Sequence, residues 1–188
     1  LAYVASGEMD GVVAAAYSAQ RAVWGVVPLL PNGEERSTAR LYYDEFHVYV
    51  RSGSPVKWDG KAFANLNGSV AIQAGFVVAE RLGKMGVDLD QSGKSAEHGL
   101  RLLMNGSASV AVLQASEANY LIHGDPRFRG HVEVLPVPFA QVPLHLLMSR
   151  KSWQREQKRI EALWDALAIE RESAEYQKQE KALLQLKK

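Results

Sequence analysis

The chain has 188 residues, 47% of them apolar and 23% charged, with a formal net charge of +1. That balance offers no basic face for nucleic acid and no pull toward an anionic membrane surface, and no apolar run approaches the roughly 18 residues of a membrane span. With no cysteine present, disulfides, thiol nucleophiles and cysteine-held zinc are excluded, while periplasm and cytosol both stay open as compartments.

The chain begins Leu1-Ala2-Tyr3-Val4, without a methionine or a charged leader, and Leu1 and Val4 read as the tail of an apolar helix face. The expectation is a chain whose first part is missing. Residues 11–16 form a continuous apolar run, the pattern of a strand buried on both faces. Ser18 is placed to cap a short helix, and Leu30-Pro31-Asn32-Gly33 is a turn. Residues 43–50 carry Phe46, Val48 and Val50 at period two, a strand. After the turn at Leu66-Asn67-Gly68 come a strand over 69–73 and a helix from Gly75 to Lys84, with Val77, Val78, Leu82 and Met85 on its apolar side.

A short strand is expected at 87–89, then a helix capped by Ser95 and stopped by Asn105-Gly106, with Leu100, Leu103 and Met104 inward. Strands follow at 109–113, 132–137 and 143–148, with a helical turn or two at 116–123. From Trp153 the chain turns helical, and Ile160, Leu163, Trp164 and Leu167 predict one buried stripe. A second helix is expected over 173–186, its mixed charges facing solvent. Alternating strands and helices predict an α/β fold with mostly parallel sheets. The stretch 68–113 reads as a β-α-β-α-β unit bracketed by the strands at 43–50 and 143–148, the layout of an inserted lobe.

Nothing points to catalysis. His47, His98, His123, His131 and His145 are scattered, with no i, i+4 pair on one predicted helix to hold a metal. The nucleophile-elbow and phosphate-loop motifs are absent, and Asp88 and Asp90 read as a solvated strand end. No cofactor or metal is expected.

Five stretches, "SGEMDGVVAAAYSAQR", "YYDEFHVYVRSGSPV", "LNGSVAIQAGFVVAERL", "GLRLLMNGSASVAVLQAS" and "PVPFAQVPLHLLMSRKS", in this order and spacing, resemble the type 2 periplasmic solute-binding proteins. The resemblance is to the bacterial extracellular solute-binding protein family 3, many of whose members bind polar amino acids for ABC importers. It implies two α/β lobes with ligand in the cleft, joined by two hinge strands around residues 48–51 and 141–145. The first lobe would be residues 1–49 plus 143–188, the second residues 50–142. The first lobe is expected to be incomplete, because the family carries a strand-helix-strand segment before the equivalent of Leu1.

The resemblance also implies site residues. Arg21, three residues after Ser18, matches the family's arginine that grips the ligand carboxylate. A guanidinium suits that task, being a planar fork of donors placed where ligands sit, past a strand end. Tyr17 stands beside it, and Tyr42 or Tyr43 would line the cleft near the hinge, whereas Phe46 and Phe139 read as core. In the second lobe Gly75 is kept, but Phe76 and Val77 replace the hydroxyl residues of amino-acid binders and would form an apolar wall, with backbone N–H groups still able to donate. Gln73 precedes that turn and would face the cleft. The family's ammonium-neutralising aspartate aligns with Gln114, which bears no charge, and Glu117 one helical turn on is an alternative source of it.

The implied function is non-catalytic binding of a small polar or carboxylate-bearing solute, not necessarily a zwitterion, in the periplasm for ABC-type uptake. Its partners would be the solute and an ABC permease or a membrane sensor, with no nucleic acid and no membrane insertion. The alternative is a ligand-sensing domain of a signalling protein or transcription regulator with the same fold. An enzyme on this fold is the third reading.

Overall fold

A computed structural model of the chain describes residues 1–185. In chain order the elements are α1 (Ala2–Ala5), β1 (Gly11–Ala16), α2 (Ala19–Ala22), β2 (Gly25–Val26), a 3-10 turn (Ser37–Ala39), β3 (Tyr42–Arg51), β4 (Lys57–Trp58), β5 (Phe63–Ala64), β6 (Val70–Ile72), α3 (Val78–Lys84), β7 (Leu89–Asp90), α4 (Ala96–Met104), β8 (Val110–Gln114), α5 (Ala115–Gly124), β9 (Val132–Val134), β10 (Ala140–Ser149), α6 (Arg150–Glu172) and α7 (Ala174–Gln185). The last expected helix reached Leu186, which lies outside the described residues. The chain divides into two units, one of Leu1–Tyr43 with the chain from Pro143 on, the other of Asp44–Val142.

In the first unit β10 takes β1 on one side and β2 on the other, both antiparallel. β1 is not the doubly buried strand its composition predicts. Among the described residues it pairs with β10 alone. Its register slips between Val12 and Ala15, Ala14 sits at φ 59°, and Val13 is 70% exposed while only Ala15 and Ala16 are buried. An apolar run of small residues suits an edge strand as well as a central one, because it reports hydrophobicity and not the number of neighbours.

Helix α6 closes on β10 through Ile160 and Trp164, which meet Met148. Leu163, expected in the same stripe, is instead largely exposed. The buried contact is as narrow as one i, i+4 pair, and Leu163 falls just off it. Ser149 caps the helix, its hydroxyl accepting from the Ser152 N–H, and Arg150 donates to the carbonyls of Ala22 and Val23 at the end of α2.

In the second unit β8 lies between β3 and β6. It runs antiparallel to β3, with Phe46 opposite Gln114, and parallel to β6, with Val70 opposite Val110. β7 extends the parallel set beyond β6, and β9 covers the other edge of β3. Among the described residues β8, β6 and β7 pair in parallel, whereas β1 and β2 with β10, β8 and β9 with β3, and β4 with β5 pair antiparallel, so the sheet is mixed rather than mostly parallel as expected. Parallel neighbours need a crossover, and only α3 and α4 provide one. Residues 48–51 lie wholly in this unit and are hydrogen-bonded along β3.

Alternation sorts the side chains onto two faces. Phe46, Val48, Val70, Ile72, Val110 and Val112 meet Val78 and Leu82 of α3, with Trp58 and Phe139. Tyr49, Ala71, Ala111 and Leu113 meet Leu100 and Leu103 of α4 and Ala118 and Ile122 of α5. Phe46 and Phe139 are core, as expected. The β4–β5 hairpin, not read in the sequence, sets Trp58 against Phe63 and Phe139.

Candidate functional site

The first-unit residues sit just past β1. Ser18 has an extended backbone (φ −155°), and its hydroxyl oxygen accepts the Arg21 N–H at 3.2 Å, capping α2. The cap sends the chain into one helical turn and returns Arg21 toward the strand it has just left. Arg21 Nη1 donates to the Ala16 carbonyl at 2.8 Å, which fixes the azimuth of the guanidinium. The side chain is half-buried, and that burial lowers its pKa by disfavouring the charged form. Tyr17 packs against the cluster of Val4, Ala15, Val27 and Leu147, so much of its ring belongs to the first-unit core. The Arg40 guanidinium lies 4.0 Å above the ring of Tyr43, and Tyr42 is partly exposed.

The second-unit residues gather at the C-terminal ends of β6 and β8. Gln73 follows β6 and is 5% exposed. Its Nε2 points at Glu117 Oε2, 3.4 Å away, and its Oε1 is buried with no hydrogen-bond partner among the described residues. Glu117, on α5, accepts the Ala96 N–H at 3.2 Å through Oε1 and so ties α5 to the start of α4. Gly75 turns the chain at φ +83°, a conformation strained for any other L residue. Phe76 meets Phe46 edge-on, ring centroids 5.3 Å apart, so its ring is committed to packing, and Val77 is the half-buried residue before α3.

Gln114 ends β8, and its Nε2 donates to Asp44 Oδ1 at 2.9 Å. Asp44 is 5% exposed and has no ion pair among the described residues. Sequence reasoning missed it, although the signal was there: Asp44 is in phase with Phe46 and Val48 on β3, hence on the inward side. The structure therefore sorts the expected second-unit residues into two groups. Gln73 joins Glu117 on the side covered by α4 and α5, while Gln114 joins Asp44 in phase with Phe46.

Burial pushes the Asp44 carboxyl above its ordinary range, and the Gln114 hydrogen bond partly offsets this. A group whose folded pKa is raised keeps its stabilising contribution below its unfolded value of about 3.8 and loses it as pH rises through the folded value. Asp44→Asn keeps an acceptor for Gln114 and removes the charge. It is expected to gain stability relative to wild type between pH 4 and pH 7. Urea titrations at the two pH values read this directly, and an advantage unchanged between them would refute it.

Among the described residues no group of three or more histidine, aspartate or glutamate side chains is placed to hold a metal ion, and no helix is long and apolar enough to cross a membrane. A shallow depression near Arg101, Met104 and Phe128 is flanked by Arg127, which is already paired with Asp125 and Glu97.

No protein-family model matches the chain, and no curated protein matches it significantly. Solved structures match its fold. A histidine kinase sensor domain with similarity to periplasmic binding proteins shares 18% identity at a TM-score of 0.70, over 94% of this chain and 70% of that one. The GluR0 ligand-binding core from Nostoc punctiforme, in complex with L-glutamate, shares 17% at 0.65, over 94% and 74%. The substrate-binding protein of an amino acid ABC transporter shares 15% at 0.64, over 93% and 70%. The chain has an α/β fold of the two-lobed, periplasmic-binding-protein-like kind, with a mixed sheet.

Proposed function

We propose that this chain is a non-catalytic, periplasmic receptor for a small polar, carboxylate-bearing solute, with Arg21 holding the carboxylate. The observation that carries this is the double fixing of Arg21. Its backbone is capped by Ser18 and its Nη1 is tied to the Ala16 carbonyl, so the guanidinium is pre-oriented before any ligand arrives. Pre-orientation lowers the entropic cost of gripping a carboxylate. The fold supports the same reading, since the solved structures that share it are ligand-binding, sensor and transport-receptor domains. Solute uptake through an ABC permease is the first role. Sensing for a membrane kinase is the second, favoured by the likeness to a kinase sensor domain at a TM-score of 0.70.

The test is thermal denaturation of the purified chain with succinate, glutarate and the standard amino acids. A ligand at about a hundred times its Kd adds roughly 2.7 kcal/mol of stability, so a binder raises the Tm by several degrees. Arg21→Ala is expected to remove about 1.5–3 kcal/mol of binding energy, the worth of hydrogen bonds to a charged group. If carboxylates raise the Tm of the variant as much as that of wild type, Arg21 does not hold them.

A further inference from the structure

Helix α6 is covered on one side. Ile160 and Trp164 pack with Met148 of β10, and Arg171 on the same side donates to the Thr38 carbonyl. At 100° per residue the opposite side carries Arg159, Ala162, Leu163, Ala166, Ile169 and Glu170. All six are exposed, Ile169 at 74% and Leu163 at 42%. The break inside α6, at Glu156, precedes all six, so they share one regular stretch of helix. An exposed apolar side chain standing alone is ordinary. Four adjoining ones, with a cation at one end and an anion at the other, make a patch with a direction.

The charges of α6 run against its own dipole. Residues 150–159 hold Arg150, Lys151, Arg155, Lys158 and Arg159 against Glu156, and residues 160–172 hold Glu161, Asp165, Glu170 and Glu172 against Arg171. The macrodipole favours the reverse, with acidic residues toward the N-terminus and basic ones toward the C-terminus. Contacts within the first unit explain part of this. Arg150 donates to the carbonyls of Ala22 and Val23, Arg155 pairs with Asp10, and Asp165 pairs with Arg36. On the outward side Arg159 has no ion pair among the described residues. Glu170 has none either, and accepts only a long 3.5 Å contact from the Ser173 hydroxyl. The two lie about 16 Å apart along the helix, too far to meet each other.

A second copy laid antiparallel on this face resolves the charge pattern. In the register that sets Leu163 of each copy against Ile169 of the other, Ala166 lies on the two-fold axis, where its small side chain lets the backbones approach. Arg159 then falls roughly 5 Å along the axis from Glu170 of the other copy, within reach of a guanidinium. Two-fold symmetry makes that pair twice. The basic half of each helix lies on the acidic half of the other, and the two dipoles oppose. A parallel copy would set basic half on basic half. We infer that the outward face of α6 is a self-association surface whose occupant is a second copy of this chain, antiparallel about a two-fold axis.

Sedimentation velocity of the purified chain over a concentration series tests it. The patch is well below the roughly 800 Å² per partner of a standard interface, so a reversible dimer with a Kd of about 1–100 μM is expected. It should weaken as salt rises from about 50 to 500 mM. Ile169→Glu is expected to weaken it at least about tenfold and to leave the Tm of the monomer unchanged, because the side chain it replaces is exposed. Arg159→Glu and Glu170→Arg are each expected to weaken it, and the double variant to restore it, because opposite charges meet again. A chain that stays monomeric at about 500 μM overturns the inference in favour of a different occupant. A dimer that Ile169→Glu leaves intact also overturns it, since that dimer lies on another face. A double charge variant as weak as the single ones overturns the antiparallel pairing.

Discussion

Trp164→Ala is expected to cost the first unit about 3–5 kcal/mol, the range for deleting a large buried aromatic. Trp164 is 2% exposed. Its ring stacks on Trp153 with centroids 5.2 Å apart and planes 24° from parallel, and it packs with Met148 and Ile160. Its Nε1–H donates to the Leu146 carbonyl on β10 at 2.8 Å. One side chain therefore supplies both the apolar contact and a directional bond between α6 and the strand. Trp164→Phe separates the two contributions, because it keeps most of the ring and leaves the Leu146 carbonyl without that donor. That variant is expected to cost about 1–2 kcal/mol. Urea unfolding followed by far-ultraviolet circular dichroism measures both, and a loss below about 1 kcal/mol for Trp164→Ala would mean that α6 is not part of the cooperative structure of its unit.

How much of this was legible in the sequence depends on which physical signal each residue carries. Ser95 and Asn105 bracket α4 as read, because capping chemistry is local: Ser95 accepts a helix N–H, and Asn105 is the C-cap. Period two placed β3 with Phe46, Val48 and Val50 inward, and all three are buried. Neighbour number was not legible. Residues 11–16 read as a central strand, whereas among the described residues they pair with β10 alone and carry a bulge, because pairing partners lie far away in the chain. The two-residue strands β4 and β5 were missed because two residues are too few to show any period.

The site divides along the same line. Ser18 capping and the turn at Gly75 follow from residue type, and both are present. The partnership of Gln114 with Asp44 spans 70 positions, and that of Gln73 with Glu117 spans 44. Only the fold supplies such neighbours. Gln114 alone argued against a charge at the second-unit site. In the structure a carboxylate does stand beside that amide: Asp44 on β3, which accepts its Nε2–H.

His145 shows what a lone histidine does in this chain, and its replacement has the second-largest expected effect. The ring is fully buried on β10. Nδ1 lies 3.2 Å from the Ala39 carbonyl, and Nε2 lies 2.9 Å from Glu35 Oε1. The contact with Glu35 is close but not aligned as a hydrogen bond. The two contacts pin the segment around the 3-10 turn to β10. His145→Ala removes both and leaves a void, and is expected to cost about 2–4 kcal/mol. His145→Leu fills the void but leaves Glu35 facing an apolar surface, at an expected cost of about 1–3 kcal/mol. Replacing both partners removes the stranded carboxylate as well. The double variant His145→Leu with Glu35→Leu should therefore be more stable than the sum of the single losses predicts, by about 1 kcal/mol. A double-mutant cycle in urea at pH 7 gives that difference, and single losses that add to within about 0.3 kcal/mol would show that the two side chains are merely adjacent.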